Sequence, residues 1–327
     1  MNRGDKTLAF MNQEFGSDEC FLCGQKNQKI TPEHIFPRWL QRDFRLWDLK
    51  LDLLNNSPIP YRLLTIPCCK QCNNNYLSRL ENNVKLAVDS GFDAAQSLPK
   101  YSWYLWAAKI HYGILRKELN LAFDRANNSG ASIVSEELLT QFQSFHLFLQ
   151  GIRGKHAFKG GVPYSVLICN LHNTGEEFGF RDNLYLSTFS LRIGQIGIIV
   201  VFEGGNSIDE SYGRYISELK GKKIHPIQFS ELYAKVNYEL KRRHGNLSYL
   251  TTQTEGSTEP VITQILDDGY FMEPWSSSEC SAFIQEYIST SHFNNLNPKF
   301  LPGTRNTWMY DESGNILTLP LSAWVSS

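Results

Sequence analysis

The sequence predicts an α+β protein with a small, metal-stabilised N-terminal module, residues 1–95, and a larger α+β domain, residues 96–327. Three observations predict this class. Two Cys-x2-Cys pairs lie near the N-terminus, and such pairs hold zinc in modules too small to build their own core. Several long segments repeat apolar residues every three or four positions, which is typical of helices. After Gly160-Gly161 the repeat changes to every second residue, which is typical of strands.

The N-terminal module is predicted to contain two short strands and one helix. The first strand lies within residues 20–37, after the first cysteine pair, and is bounded by Pro32 and Pro37. The second strand is Tyr61–Ile66, an apolar segment that ends before a proline. The helix spans about Asn73–Val88, because its apolar side chains are spaced by three and four and therefore share one face.

The larger domain is predicted to combine three helices with strands and a C-terminal hairpin. The first helix is rich in aromatic residues, and the second begins at Ser135, an N-cap followed by two glutamates in the first turn. The last strand is apolar throughout, so we expect it to be buried. The hairpin turns at the Gly- and Asn-containing stretch 311–315. The predicted helices are residues 101–126, residues 135–150 and Phe229–Arg243; the predicted strands are Ser165–Leu171, Leu184–Ile193 and Gly197–Phe202; the hairpin is Thr307–Ala323.

Composition limits the classes of protein that the chain can belong to. It has 327 residues, 42% hydrophobic and 13% aromatic, which indicates a folded protein of about two domains at ~150 residues each. The net charge of −1 excludes a bulk polycation, so any nucleic-acid binding would depend on local basic patches. No apolar run approaches the ~20 residues of a transmembrane helix, and the segment Met1–Glu19 lacks a signal-peptide core. We therefore expect a cytoplasmic protein with no membrane partner.

Cysteine spacing is the strongest signal in the sequence. In the cytoplasm, cysteines are metal ligands or free thiols more often than disulfides. The pairs Cys20-x2-Cys23 and Cys69-x2-Cys72 offer four thiolates, the set that holds a tetrahedral structural zinc ion. Cys68 leaves a second spacing open, Cys68-x3-Cys72. We favour Cys69, because the shorter spacing makes a tight turn whose backbone N–H groups can donate to sulfur.

A carboxylate and an imidazole, Glu33 and His34, lie between the two cysteine pairs. Neutral imidazole is a competent base near pH 7, and a carboxylate oxygen suits magnesium or manganese. Adjacent side chains on a strand point to opposite faces, so a shared site would require a bent strand, which the flanking prolines favour. The alternative is a solvated glutamate and a histidine packed beside the zinc.

Asn73 directly follows the last cysteine, at the start of the predicted helix. Its amide oxygen could ligate the same hard cation as Glu33. The alternative is an N-cap, a position that asparagine strongly favours. Asn74 and Asn75 could take either role.

The order Cys-x2-Cys, Glu-His-Ile-x-Pro, Cys-x2-Cys-Asn resembles the HNH family of endonucleases, the His-Me finger or ββα-metal nucleases, in their zinc-stabilised form. The resemblance covers about residues 18–90 and implies a treble-clef-like ββα-metal nuclease module. It implies that His34 activates water, and that Glu33 and Asn73 hold one Mg²⁺ or Mn²⁺ ion at the scissile phosphate. The activity implied is phosphodiester hydrolysis in nucleic acid, DNA more than RNA, and the zinc would be structural because four thiolates leave no open position.

One departure from that family keeps a second hypothesis open. The family usually has a further Asn shortly before the second cysteine pair, where it orients the histidine. Residues 62–67 contain no Asn, so either Asn55 or Asn56 substitutes for it or the role is absent. The second hypothesis is a non-catalytic zinc module that binds nucleic acid or a protein partner, with the domain at residues 96–327 used for targeting, regulation or partner binding.

Several other groups have weaker interpretations. The basic clusters could contact phosphates, although charge runs are usually solvated surface. The aromatic stretch Tyr101–Trp106 could stack bases, but its helical spacing is more typical of core. We expect Cys169 and Cys280 to be buried as small apolar side chains. The basic clusters are Arg153/Lys155/Lys159, Lys220/Lys222/Lys223 with His225, and Lys241/Arg242/Arg243 with His244.

Overall fold

The structure is a computed structural model, and the predicted α+β class is confirmed. It describes residues 18–26, 28–118, 145–154, 157–159, 161–175, 177–204, 207–245, 247–252, 261–266, 271–288, 307–310, 313 and 315–319. Contacts divide the chain into two compact units. Unit 1 comprises residues 1–89, 98–157 and 251–262, and unit 2 comprises residues 90–97, 158–250 and 263–327.

The first half of the chain contains a hairpin, an insertion between its strands, and helices that follow. The elements in order are β1 (Ile30–His34), α1 (Arg38–Asp43), β2 (Lys50–Asp52), β3 (Pro58–Pro60), a 3₁₀ turn (Tyr61–Leu63), β4 (Thr65–Cys69), a π-helical turn (Cys72–Leu77), α2 (Ser78–Asp89), α3 (Phe92–Ser97), α4 (Lys100–Glu118) and a 3₁₀ turn (Gln150–Ile152). Strands β1 and β4 pair antiparallel, and β2 and β3 form a small hairpin within the insertion.

The predicted position of the second strand was wrong. Residues Tyr61–Leu63 form a 3₁₀ turn, and the strand begins at Thr65 and continues through Pro67. Pro32 of β1 lies directly opposite Pro67. Both strands of a two-stranded sheet are edge strands. A proline has no N–H to donate, so it costs no hydrogen bond between the strands where its nitrogen faces away from the partner strand. Pro32 and Pro67, which were expected to bound the strands, therefore lie inside them, whereas Pro37 lies outside β1, directly before α1.

The helix after the second cysteine pair is confirmed, as the π-helical turn followed by α2. Leu77, Val84 and Ala87 are buried, so the predicted apolar face packs inward. Helix α4 packs against α2 within unit 1. It lies beyond the boundary predicted after residue 95, but its contacts group it with the N-terminal module.

Helix α4 carries the aromatic core of unit 1. Trp103, Tyr104 and Trp106 are fully buried, which confirms the core interpretation of this stretch over base stacking. The helix was predicted to reach residue 126, and its described part ends at Glu118. Of the second predicted helix, residues 145–149 are helical, and Ser135 lies outside the described residues.

The remaining elements lie from residue 157 onwards. In order they are β5 (Ala157–Lys159), β6 (Ser165–Leu171), β7 (Phe178–Asn183), β8 (Thr188–Ile193), β9 (Ile196–Val201), α5 (Ser207–Leu219), β10 (Lys223–Ile224), α6 (Pro226–Lys241), β11 (Arg243–His244), β12 (Leu247–Thr252), β13 (Val261–Leu266), β14 (Phe271–Met272) and α7 (Ser277–Tyr287). A five-stranded sheet has the order β10-β6-β9-β8-β7, with β10 parallel to β6 and the other neighbours antiparallel.

Unit 2 confirms most of the predicted strands and corrects one. The predicted strand Leu184–Ile193 was wrong in its first half, since residues 184–187 form the turn between β7 and β8. Ser187 has a φ of 49°, a left-handed conformation that ends regular pairing. Strand β9 is buried at every residue, as expected, and so are Cys169 and Cys280. Of the C-terminal hairpin, the described residues show the bridge between Tyr310 and Ile316.

None of the helices in the described part of the chain is both long and apolar enough to cross a membrane.

Gly113→Ala is expected to destabilise unit 1, because helix α4 lies very close to Ile35, the residue after β1, at this glycine. A Cβ at Gly113 would lie 2.8 Å from Ile35 Cγ1 and 3.0 Å from Ile35 Cγ2. Overpacking of this kind costs about 1–3 kcal/mol, more than the ~0.5–1 kcal/mol that alanine gains in a helix. Urea denaturation of Gly113→Ala measures the change, and the cost of Gly113→Ala should be smaller when it is measured in an Ile35→Ala background.

Gly213 provides the matched control, since it also lies within a helix, α5, and no heavy atom of the described residues lies within 4 Å of its Cβ position. Gly213→Ala should be neutral or stabilising. Equal effects of the two substitutions would contradict the close approach at Gly113.

Candidate metal centre and the residues around it

Four cysteine side chains meet at one end of the β1–β4 hairpin. The Sγ atoms of Cys20, Cys23, Cys69 and Cys72 all lie within 4.8 Å of one another, and all four residues are buried. A zinc ion bonded to four sulfurs at about 2.3 Å requires S–S separations of ~3.8 Å. The Cys23 Sγ to Cys69 Sγ distance is 3.8 Å. The group could therefore bind a metal such as zinc, as the spacing predicted.

The first cysteine pair forms a tight turn that closes on a glycine. The Gly24 N–H donates to Cys20 O at 2.8 Å, and the Cys20 N–H donates to Gln25 O at 3.2 Å. Gly24 has a φ of 66°, a left-handed conformation that a side chain disfavours. The glycine thus lets the chain reverse directly after Cys23, so both sulfurs of the pair can face the same point.

The second cysteine pair joins β4 to the helix. The Cys72 N–H donates to Cys69 Sγ at 3.4 Å, which is the backbone contact that favoured Cys69 over Cys68. Cys68 Sγ lies 3.5 Å from the main-chain oxygen of Cys69 and is not part of the four-sulfur group. Cys68 also contacts Cys20, so it lies beside the group as a neighbour, while Cys69 supplies the sulfur that lies near all three others.

Crowding changes the acidity of the thiols. Hydrogen bonds from Cys23, Cys68 and Cys72 lower the pKa of Cys20, so one thiolate forms readily. The contact with Cys20 raises the pKa of Cys23 to about 11 and also raises the pKa of Cys72. Like charges at this separation repel, so further thiolates need a cation to compensate them. This chemistry fits a divalent metal that binds with release of protons.

The first cysteine turn is held in place by the segment after α4. His146 Nε2 lies 2.9 Å from Phe21 O, and Gln150 Nε2 donates to Leu22 O at 2.7 Å. Burial lowers the pKa of His146 to about 4, so this imidazole is neutral at pH 7 and can donate one N–H to the carbonyl. The Phe21 ring also packs beside Tyr112 of α4, with 6.1 Å between centroids. The two carbonyls between the cysteines therefore both have side-chain partners, a buried imidazole and a half-buried amide.

Glu33 faces α4, where its carboxylate meets a buried lysine. Lys109 Nζ lies 2.9 Å from Glu33 Oε1 and 2.9 Å from Glu81 Oε1. It also donates to the main-chain oxygens of His34, at 2.5 Å, and Ile35, at 3.2 Å. Lys109 is 1% exposed. Burial opposes its charge, but Glu33 and Glu81 outweigh burial and raise its pKa. Four oxygens thus surround one buried ammonium group.

His34 is the next residue of β1 and contacts a different set of side chains. Its Nδ1 lies 3.4 Å from Gln41 Nε2, and its ring centroid lies 6.0 Å from that of Trp47. Gln41 Nε2 also donates to Phe36 O at 2.7 Å, which orients the amide because a carbonyl can only accept. Gln41 therefore presents an N–H to Nδ1, and this favours the tautomer with its proton on Nε2.

The charge state of His34 follows from its surroundings. Burial is the largest cause that lowers its pKa, and the positive charges of Arg38 and Lys109 lower it further, while Glu33 raises it. The imidazole is therefore neutral at pH 7, the state that a general base needs. The expected bend in the strand is absent, since β1 pairs with β4 at every residue through His34 and Thr65. Glu33 and His34 consequently point to opposite faces.

Asn73 lies in the π-helical turn, directly after Cys72, and its main-chain oxygen accepts the Ser78 N–H. A different residue of this helix, Glu81, shares the Lys109 ammonium with Glu33. Glu81 lies ~12 Å beyond Asn73 along the helix, at 1.5 Å per residue. The Glu33 carboxylate thus contacts Lys109, which also contacts Glu81. Short π-helical segments are frequent at functional sites, and Asn73 lies in one.

The other asparagines considered as site residues lie at the surface. Asn74 and Asn75 are exposed and line an open groove on the helix. Asn55 Oδ1 accepts the Ser57 N–H at 3.1 Å, and Asn56 has a φ of 57°, so both belong to the turn between β2 and β3. The side chain that contacts the His34 imidazole is Gln41 of α1.

The basic clusters differ in how much of their charge is available. Lys222 is exposed, whereas His225 is buried and caps α6. Arg242 Nη1 pairs with Glu239 Oε2 at 2.6 Å, and His244 Nε2 lies 2.7 Å from Glu273 Oε1. Two members of the third cluster, Arg242 and His244, thus have acidic partners within unit 2. In the first cluster, Lys155 lies outside the described residues.

Three residues around Glu33 and His34 were not singled out from the sequence. Lys109 and Glu81 surround the Glu33 carboxylate, and Gln41 contacts the imidazole. A signal existed for one of them, since a lysine within an aromatic, buried helix needs an acidic partner. No local pattern distinguishes Glu81 or Gln41 from other polar residues on helices.

Comparisons with protein-family models, with curated proteins and with solved structures found no match.

Proposed function

We propose that unit 1 is a metal-dependent endonuclease module of the HNH type, which hydrolyses phosphodiester bonds in nucleic acid, DNA more than RNA. The observation that carries the proposal is the position of His34. It ends the first strand of a hairpin whose second strand runs into the second cysteine pair and then into a helix. That strand, strand, helix order around a four-cysteine group is what the resemblance to the HNH family implies, and the imidazole is neutral, as a base must be.

In this proposal His34 accepts the proton of the attacking water. The contact between Nδ1 and Gln41 Nε2 is long, at 3.4 Å, and therefore weak, so the attacking water would replace the Gln41 amide as the donor to Nδ1. That water would donate one O–H to Nδ1 and direct a lone pair of its oxygen toward a phosphate. Trp47 lies beside the imidazole ring and is 46% exposed, so it could also contact the nucleic acid.

Glu33 and Asn73 are the proposed ligands of Mg²⁺ or Mn²⁺, while the four cysteines hold a structural zinc. A hard divalent cation, when bound, supplies charge that stabilises the phosphate oxygens in the transition state. Glu33 Oε1 is held by Lys109, and Glu33 and His34 face opposite ways, so the proposed site requires the strand to bend at these residues and the cation to share the carboxylate through Oε2 or replace the ammonium. This competition predicts weak cation binding and an activity that needs a high magnesium concentration.

Purified protein should nick DNA in the presence of magnesium or manganese, and His34→Ala should reduce the rate by ~10²–10⁴-fold, the usual contribution of a general base. Folding should be unaffected, because His34 is not one of the four clustered cysteines. Initial rates on a supercoiled plasmid measure the effect. His244→Ala is the matched control, since this histidine is exposed in unit 2 and pairs with Glu273.

Cation dependence distinguishes the two metals. Mild EDTA should stop cleavage before zinc leaves, because thiolates hold zinc far more tightly than oxygen ligands hold magnesium. Added magnesium or manganese should restore it, and Glu33→Gln should raise the concentration required. Full activity with zinc as the only metal, or wild-type rates in His34→Ala, would contradict the proposal.

The second candidate function is a non-catalytic zinc module that binds nucleic acid or a protein partner, with residues 96–327 used for targeting or partner binding. The ion pair between Glu33 and Lys109 favours it, because it occupies the carboxylate with a cation of the chain itself. If no divalent cation supports cleavage of DNA or RNA, while either nucleic acid still binds, this second function is the better description.

A further inference from the structure

The insertion between β1 and β4 presents an exposed apolar patch, defined here as Trp47, Leu49 and Leu63. Trp47 is 46% exposed, and the two leucines are each 56% exposed. The Arg62 N–H donates to Trp47 O at 3.4 Å. The Tyr61 N–H donates to Leu49 O at 2.9 Å, so the two stretches of chain that carry the apolar patch run side by side. Exposed apolar side chains that lie together mark interaction surfaces, because leaving them in water costs free energy.

Trp47 connects the apolar patch to the histidine that is proposed as the general base. The centroid of its ring lies 6.0 Å from that of His34, and the two ring planes are tilted by 45°. The imidazole is therefore not stacked face to face on the indole, and nearly half of Trp47 is open to solvent. A flat group that stacks on Trp47 lies next to His34, and a phosphate joined to that group through one sugar can reach the imidazole.

The chain around the apolar patch is positively charged. Residues 38–63 contain five basic and three acidic side chains, an excess of two positive charges in a protein whose net charge is −1. Arg38, Arg45 and Lys50 are exposed, and none of the three forms an ion pair with a described residue. The positive charge of Arg38 reaches the imidazole of His34, whose pKa it lowers. These three side chains are available to contact phosphates.

An unpaired nucleotide matches this combination of an exposed aromatic ring and uncompensated cations. Proteins that bind single-stranded nucleic acid stack bases on aromatic side chains and hold the backbone with basic ones. In a duplex the faces of each base are covered by its neighbours, so an aromatic side chain reaches a base face only where the base is unstacked. The cations favour a nucleic acid over an apolar segment of a protein, because such a segment would leave them without a partner.

We propose that the apolar patch binds an unpaired nucleotide of a DNA substrate, with the base stacked on Trp47 and the neighbouring phosphates held by Arg38, Arg45 and Lys50. This assignment rests on the proposed function of unit 1 and narrows its substrate to DNA that contains a single-stranded segment. Because His34 lies beside Trp47, the bond that is cut is the phosphodiester next to the stacked base. Trp47 is thus a positioning residue for this reaction.

Fluorescence anisotropy of the full chain with two labelled probes tests the proposal. One probe is a DNA strand of about 12 nucleotides, within the usual size of such sites, and the other is its blunt duplex. Mild EDTA prevents cleavage during the titration. The single strand should bind ~10-fold or more tightly than the duplex. Trp47→Ala should weaken single-strand binding by ~5–150-fold, the range for loss of one stacked base, and Trp47→Phe should retain most of the affinity.

Trp275→Ala is the matched control, because Trp275 is 47% exposed in unit 2, and this variant should bind the single strand like the wild type. Leu63→Glu and Leu63→Lys keep the test valid if Trp47→Ala does not fold. Both remove the same exposed leucine, and only glutamate repels phosphates, so Leu63→Glu should bind the single strand more weakly than Leu63→Lys.

Three results would overturn the proposal. They are equal affinity of the wild type for single strand and duplex, wild-type affinity of Trp47→Ala for the single strand, and binding of neither probe, which would leave a protein as the partner of the apolar patch. Because binding is measured without cleavage, single-strand binding by a protein that never cuts DNA would contradict the nuclease function alone. Cleavage by a protein that prefers duplex would contradict this assignment alone.

Discussion

Cys69→Ser is expected to release the metal from unit 1 and to unfold the hairpin with both cysteine turns, whereas Cys68→Ser should leave the metal bound. Cys69 Sγ belongs to the four-sulfur group and also accepts the Cys72 N–H. Cys68 Sγ instead lies against the main-chain oxygen of Cys69. Zinc binding contributes about 10–16 kcal/mol in small zinc modules, comparable to the whole stability of a domain at about 5–15 kcal/mol. Loss of one ligand should therefore abolish folding of this part.

Metal analysis by mass spectrometry, with thermal denaturation in parallel, measures this pair of variants. Wild type and Cys68→Ser should each carry about one zinc per chain, because four thiolates fill one tetrahedral site. Cys69→Ser should carry none and should lose its cooperative transition in unit 1. If instead Cys68→Ser loses the zinc and Cys69→Ser keeps it, Cys68 is the ligand and the longer spacing, Cys68-x3-Cys72, is used.

Lys109→Met is expected to destabilise unit 1 by about 3–5 kcal/mol, the usual cost of breaking a buried ion pair from one side. The substitution removes the only described ammonium between Glu33 and Glu81, and it leaves both carboxylates without their cation. It also leaves His34 O and Ile35 O without the Nζ donor. Denaturant unfolding of unit 1, followed by the fluorescence of its buried tryptophans, measures the change.

Lys85 supplies the matched control. It pairs with Asp43 and Asp89 at the surface of the same unit, and exposed pairs contribute about 0–1 kcal/mol. Lys85→Met should therefore have little effect. Adding Glu33→Gln and Glu81→Gln to Lys109→Met should recover much of the loss, since removing a whole buried cluster is often nearly neutral. A Lys109→Met protein as stable as the Lys85→Met protein would show that the buried cluster does not support the fold.

Local patterns in the sequence were enough to predict much of the fold. The apolar face of the helix after Cys72 appears as Leu77, Val84 and Ala87, all buried. The apolar run that became β9 is buried at every position. Spacing of three and four, or of two, encodes which side of an element is apolar, so these elements can be read without knowing what they pack against. The strand before the second cysteine pair was misplaced because Pro67, which lies inside it, was taken as its end.

The metal group was also predictable, for a related reason. A Cys-x2-Cys turn brings its own two sulfurs to one point, so each half of the site is local in sequence. Only the contact between the two cysteine pairs depends on tertiary structure. The antiparallel pairing of Ile30 with Cys69 in the hairpin brings the two pairs together. The choice between Cys68 and Cys69 followed from the same local turn, which directs the Cys72 N–H at sulfur.

The surroundings of Glu33 and His34 were decided by the tertiary structure alone. Side chains alternate along a strand, so the two side chains must face opposite ways. This alternation does not predict which residues contact each of them. The partner of Glu33 is Lys109, 76 positions away, and that of His34 is Gln41, on a helix inserted between the strands. The sequence by itself therefore determined the class of fold and the cysteine group, because those depend on spacing within short segments. Which charges are compensated depends on packing between distant segments, and only the folded chain shows it.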